Sequence, residues 1–260
     1  MERAGHECWS YDDQRVIDAY AREVILAGIA GGERVWYVPG RESELTAQAL
    51  PGGDAVRVVH FGDAYSGQAV LDPVAQVGAY AAATEEALAD GFTGLCVVAD
   101  VTELVRGDEQ RDAFARYEYL IGRYMRTDAM RAVCAYDRRV LGAAAVAEIA
   151  CLHESSTGAG VPFQLHPALS RAEAVLDGEL DPAGEELFAT ALRRTDLAPA
   201  GGEIVVDAAG LRFIDHRALL VLQRYAESRG LTAVLRTRFE AAARLAELIG
   251  LTHVRVEPAA

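Results

Sequence analysis

The chain contains no lysine and no asparagine, so all 25 of its fixed cationic side chains are arginine. Without lysine there is no Schiff-base amine and no P-loop lysine, and without asparagine there is no N-glycosylation acceptor. A GC-rich coding sequence is the most economical explanation of arginine in place of lysine throughout. Cysteine is scarce. Cys8, Cys96, Cys134 and Cys151 all fall in the first 151 residues, and none shares the C-x-x-C spacing of structural zinc or redox pairs, so reduced, buried thiols are expected. No apolar run approaches the roughly 20 residues needed to span a bilayer. The first residues, Met1-Glu-Arg-Ala-Gly-His6, lack a basic region followed by an apolar one, so the expectation is a cytoplasmic protein without membrane contact. Basic charge is also short: 39 acidic against 25 basic residues leave a formal charge of -14, which repels a phosphate backbone and argues against nucleic-acid binding.

What is present is enough apolar residue, 51% of 260 positions, for two cores of ordinary size. The first 153 residues alternate short apolar runs with helical patterns. Arg34 to Val38, Val56 to His60, Leu95 to Asp100 and Ala132 to Tyr136 read as strands. Asp13 to Ile29, Pro73 to Ala89, Asp108 to Met125 and Arg139 to Leu152 read as the helices between them. Continuous apolar runs suit strands buried on both faces, so the order predicts a parallel sheet covered by helices. Residues 154–161, Glu-Ser-Ser-Thr-Gly-Ala-Gly-Val, read as a linker. Beyond them, Phe163 to His166, Ala174 to Leu180, Glu203 to Asp207 and Thr232 to Arg236 are strand candidates. Helices are expected at Pro182 to Arg194, Asp215 to Arg229 and Phe239 to Gly250. The fold class expected is therefore α/β in two domains, residues 1–153 and 162–260, with no internal repeat.

In the second domain, Leu176-Asp-Gly-Glu-Leu-Asp181, Ile204-Val-Val-Asp207, Phe213-Ile-Asp215 and Leu245-Ala-Glu-Leu-Ile-Gly250 resemble the STAS domain of anti-sigma-factor antagonists. The resemblance covers roughly Pro162 to Val256. It implies a small α/β module that binds an anti-sigma factor of the serine-kinase type or another STAS protein. In that family a serine two residues after the turn aspartate accepts a phosphoryl group from the partner kinase. Here that position is Arg217, which has no hydroxyl and carries fixed positive charge, so the usual switch is absent while docking through Asp215, His216 and Arg217 is retained as the expectation. Asp215 also reads as a helix N-cap, and helical spacing turns His216 and Arg217 to solvent.

In the first domain, Gly5-His-Glu-Cys8 with Tyr11, Gly28-Ile-Ala-Gly-Gly-Glu-Arg-Val-Trp-Tyr-Val38, Gly94-Leu-Cys-Val-Val-Ala-Asp100, Tyr117-Glu118, Cys134-Ala-Tyr-Asp137 and Leu152-His153 resemble the MEDS domain, a sensory module of methanogen and methylotroph regulators. That family looks distantly like RecA-type ATPase cores, which implies a RecA-like parallel sheet. The loop after Val38, Pro-Gly-Arg-Glu-Ser-Glu-Leu45, has neither the glycine-rich span nor the lysine of a phosphate cradle, so nucleotide hydrolysis reads as lost.

Parallel sheets bind ligands at the carboxyl ends of their strands, and the polar residues expected there are His60, Asp63, Asp100, Glu103, Arg106, Tyr136 and Asp137. Glu118, mid-helix between two tyrosines, joins them as a carboxylate drawn inward with Arg106 as the expected partner; a structural ion pair is the favoured reading. His6, Cys8, Cys151 and His153 would supply metal ligands only if the two ends of the domain met, and residues two apart at a helix end do not share a face. Buried thiols and hydrogen-bonded histidines are expected instead, with no metal and no cofactor. Ser66 lacks a nucleophile-elbow frame, and no catalytic residue is expected. The expected function is a bacterial signalling adaptor, not an enzyme, whose sensory domain reads a small molecule or partner; a homodimer is compatible with it. The alternatives are a divergent nucleotide- or metal-binding enzyme of RecA-like descent using Asp100 and Glu103, and a self-assembling structural protein.

Overall fold

Buried parallel strands need apolar residues on both faces, and Leu95 to Ala99 are all buried in the computed structural model, which describes residues 5–46, 50, 55–65, 70–168, 172–197, 199 and 201–259. The chain divides into two compact units, residues 1–146 with 154–160 and residues 147–153 with 161–260. In chain order the elements of the first part are β1 (His6–Tyr11), α1 (Gln14–Ala30), β2 (Arg34–Val38), β3 (Val56–Val58), α2 (Phe61–Ala64), α3 (Pro73–Ala89), β4 (Leu95–Asp100), α4 (Asp108–Met125), β5 (Met130–Asp137), α5 (Arg138–Ala150) and β6 (Ser155–Thr157). The first unit's sheet runs β3-β2-β4-β5-β1-β6, and every neighbouring pair is parallel.

The period of two sorts the strand residues between two faces. Val35, Tyr37, Cys96, Val98 and Val133 pack with Ala21, Val24 and Ile25 of α1. The alternate set meets α3 and α4, as the Trp36–Tyr80 and Phe114–Tyr136 ring contacts record. Helix starts follow capping chemistry. Asp13 accepts from Arg15 N at the head of α1, and Asp72 accepts from Val74 N and Ala75 N beside Pro73 at the head of α3.

Three features of this part depart from the sequence expectation. β1 was not foreseen, although His-Glu-Cys-Trp-Ser-Tyr buries alternate residues as it pairs with β5. Residues 155–157, expected within a linker, add the edge strand β6 to β1. The helix expected to run unbroken from Arg139 to Leu152 is interrupted at Gly142, whose φ of 78° no helix contains.

The second unit contains β7 (Phe163–Pro167), β8 (Ala174–Leu180), α6 (Glu185–Thr195), β9 (Glu203–Ala208), β10 (Leu211–Ile214), α7 (His216–Glu227), β11 (Thr232–Thr237), α8 (Ala241–Leu248) and β12 (Val254–Pro258). Its sheet runs β10-β8-β9-β11-β12 in parallel, and β7 adds to β8 antiparallel. β10 and β12 were not expected as strands; Leu211 to Ile214 pair with β8 through an irregular register that a tight turn would not show. Among the described residues no helix is long and apolar enough to cross a membrane.

Candidate functional site

The carboxyl ends of β1, β2, β4 and β5 meet at a cleft of about 340 Å3. Parallel strands all point their ends the same way, so each contributes its last residue or following loop. β1 supplies Tyr11, the loop after β2 supplies Gly40, Arg41 and Glu42, β4 supplies Asp100 with Thr102 and Glu103 beyond it, and β5 supplies Asp137.

Asp100 is a half-buried charge at the end of β4. Its Oδ2 accepts the Tyr11 hydroxyl at 2.5 Å and its Oδ1 accepts Thr102 N at 3.0 Å. Burial raises its pKa above the usual carboxylate range, against the lowering effect of those hydrogen bonds. Burial, then the charge of Asp100, raises the Tyr11 phenol, so it stays a donor. Gly40 is required by proximity, since a Cβ there would lie 2.6 Å from Asp100 Oδ2.

Asp137 behaves oppositely. Burial acts to raise its pKa, but a two-pronged contact from Arg139, at 3.0 and 2.6 Å, and the Arg139 amide outweigh it and hold the carboxyl low. Arg139 also reaches Glu42 at 2.9 Å, and Arg41 and Arg106 both pair with Glu103. The guanidinium groups are thus engaged by carboxylates, while Asp100, among the described residues, is held by hydroxyl and amide donors. This arrangement suits a small polar molecule bearing hydroxyl or ammonium donors, and it is unfavourable for a polyphosphate.

Residues 5–154 match the family model of the methanogen/methylotroph, DcmR sensory (MEDS) domain. The chain belongs to the MEDS family. No curated protein matches it.

Of the residues expected at the carboxyl ends of the strands as ligand-binding candidates, the cleft gathers Asp100, Glu103 and Asp137, with Arg106 beside it through Glu103. His60 and Asp63 line a neighbouring depression with Trp36 and Arg57. Tyr136 and Glu118 do not belong to the cleft. Successive strand residues point to opposite faces, so Tyr136 turns under α4 while Asp137 turns to the cleft. Glu118 is fully buried beside His6, 2.9 Å away, and Cys134, 3.7 Å away, and its expected partner Arg106 pairs with Glu103 instead.

Tyr11, Gln14, Arg41, Glu42 and Thr102 line the cleft but were not anticipated. The alternation of His6 to Tyr11 was the available signal for Tyr11, and Thr102 follows Asp100 by the two residues that let its amide turn back. Arg41 and Glu42 carried no signal beyond their place after a strand. Among the weaker metal candidates, His6 and Cys8 are buried on β1. His153 Nδ1 lies 3.2 Å from the Ile149 carbonyl, and Cys151 Sγ lies 3.7 Å from the Glu148 carbonyl, its thiol pushed up to about 12 by burial. All four cysteines are buried and reduced, with no disulfide between them. Ser66 lies outside the described residues. In the second unit Asp215 accepts from Ala218 N at 2.9 Å as N-cap, and His216 and Arg217 are exposed, with Arg217 3.8 Å from Glu185.

The raised pKa of Asp100 yields a signed prediction. A carboxyl whose folded pKa lies above its unfolded value makes the native state bind the extra proton, so ionising it costs stability at neutral pH. Asp100→Asn is expected to raise the thermal midpoint at pH 7, the gain being complete above the folded pKa and vanishing as acidification passes below the unfolded value. Melting curves across that range check it; a gain independent of pH, or a loss at neutral pH, contradicts the assignment.

Proposed function

We propose that this MEDS protein is a cytoplasmic signalling adaptor that senses a small polar ligand in the cleft above Asp100 and reports through protein binding by its second unit. The supporting observation is the cleft itself: a half-buried carboxylate held by neutral donors at the strand ends of a domain from a sensory family. The STAS-like docking reading is supported by the capped helix α7, which follows β9 and β10 and presents His216 and Arg217 to solvent. An anti-sigma factor, a serine-kinase-type regulator or another STAS protein is the partner this reading favours. Arg217 leaves no phosphoacceptor at the usual position, so regulation rests on ligand-linked affinity. The protein is not an enzyme on this reading, because among the described residues the guanidinium groups at the cleft, Arg41, Arg106 and Arg139, are each paired with a carboxylate in place of a transferred phosphoryl group.

Arg217→Glu tests the output. Pull-down from native cytoplasm is expected to recover the main partner at least roughly tenfold less well with the variant, since charge at a docking site sets specificity and encounter. Unchanged recovery of every partner would contradict the docking assignment. Titration with ATP and magnesium separates the enzyme alternative: silence fits the adaptor, and saturable binding with turnover replaces it.

A further inference from the structure

Three side chains of the first unit bring ligand atoms together in the protein interior, away from the cleft. His6 on β1, Glu118 on α4 and Cys134 on β5 are 3%, 0% and 6% exposed. His6 Nε2 lies 2.9 Å from Glu118 Oε2, Cys134 Sγ lies 3.7 Å from Glu118 Oε1, and Cys134 Sγ lies 3.7 Å from His6 Nε2. We propose that His6, Glu118 and Cys134 bind a divalent transition metal ion of the zinc type.

The geometry supports the site first. Ligand bonds of roughly 2.0 to 2.3 Å at tetrahedral angles set donor atoms about 3.3 to 3.8 Å apart. Both sulfur edges of the triangle already have that length, and the nitrogen–oxygen edge needs to open by a few tenths of an ångström. The three residues stand on regular elements. β1 and β5 pair in parallel with His6 opposite Ala132 and Cys8 opposite Cys134, so His6 and Cys134 share one sheet face. α4 packs on that face and lowers Glu118 into it.

The chemistry of the donors points the same way. One imidazole nitrogen, one thiolate and one carboxylate suit zinc and its neighbours, whereas magnesium and calcium require oxygen ligands. Binding a metal displaces the Cys134 proton to solvent and leaves two negative ligands, which a divalent ion neutralises where isolated charge would be costly. Phe114 and Tyr117 from α4, with Tyr136 from β5, are buried and pack ring against ring on the same side of the sheet. The three residues fill three positions of a tetrahedral ion and leave the fourth to a further donor. The competing arrangement is a hydrogen-bonded histidine, carboxylate and thiol without metal.

Cobalt(II) separates the two because its spectrum reports both thiolate ligation and tetrahedral geometry. Chelator-treated full-length protein titrated with cobalt is expected to bind one equivalent, with a thiolate-to-metal charge-transfer band and intense visible transitions, and zinc should abolish both. Zinc alone should raise the thermal midpoint, by an amount that grows with the logarithm of its free concentration once that exceeds the dissociation constant. Cys134→Ser should remove the charge-transfer band, while Cys96→Ser, a buried thiol on the opposite sheet face, keeps it. Glu118→Gln, nearly isosteric, should weaken zinc binding at least roughly tenfold, and it decides the matter if Cys134→Ser does not fold. Failure of folded wild-type protein to take up stoichiometric cobalt, or a charge-transfer band and zinc affinity unmoved by these changes, would overturn the site.

Discussion

Replacing Gly178 with alanine is expected to be the most damaging single-methyl change in the second unit. Gly178 sits in β8 with φ of 102°, opposite Phe163 on β7 and Leu211 on β10. An added Cβ would lie 2.4 Å from the Pro162 carbonyl oxygen and 2.8 Å from Phe163 Cα. Both neighbours are backbone, and the Pro162 carbonyl already accepts Glu179 N at 2.9 Å, so neither can swing aside. Forcing a side chain into that conformation costs about 1 to 3 kcal/mol, and overpacking costs about as much again. A loss of roughly 3 to 5 kcal/mol follows from those two effects together. Both tryptophans, Trp9 and Trp36, lie in the first unit, so tryptophan fluorescence is a poor monitor. Hydrogen exchange of the β8 and β9 amides reads the change directly, and a loss below about 1 kcal/mol would show that the strand crossing yields more readily than its geometry implies.

The second large effect is expected at Glu33, in the turn that leads into β2. Its carboxylate receives three hydrogen bonds from Arg131 of β5, at 3.0, 3.1 and 2.7 Å, and the side chains are only 9% and 15% exposed. Glu33→Ala strands a covered guanidinium, which costs about 3 kcal/mol by comparison with other broken buried pairs. The cost comes chiefly from the charge left behind, not from the attraction lost. Removing that charge as well, with Arg131→Met, should therefore recover much of the stability. Urea denaturation of the three variants tests this ordering; a double variant no more stable than the single one would place the loss elsewhere.

Much of the first unit was legible because its central strands announce themselves. Leu95 to Asp100 and Arg34 to Val38 are continuous apolar runs, a pattern that only a strand buried on both faces requires. The strands that escaped notice, β1, β6, β10 and β12, are short, polar or alternating, and they are specified by pairing with neighbours more than by their own composition. The site divides along the same line. Asp100, Glu103 and Asp137 could be placed because they end or follow strands. Tyr136 could not be separated from Asp137 without the strand's phase, and a one-residue change in phase reverses every side chain. Glu118 was legible as a carboxylate drawn inward but not its neighbours, since His6 and Cys134 reach it from strands 112 and 16 residues away along the chain.

The position of β6 bears on how the amino-terminal half can be handled alone. Its three residues cover the outer side of β1, yet they fall after residue 153, where sequence composition invites a cut. A fragment stopping there would bare a row of amides and carbonyls ready to recruit strands from other molecules. Carrying the fragment on to residue 160 keeps that flank sealed, so a few polar residues decide whether the piece stays dispersed or clumps.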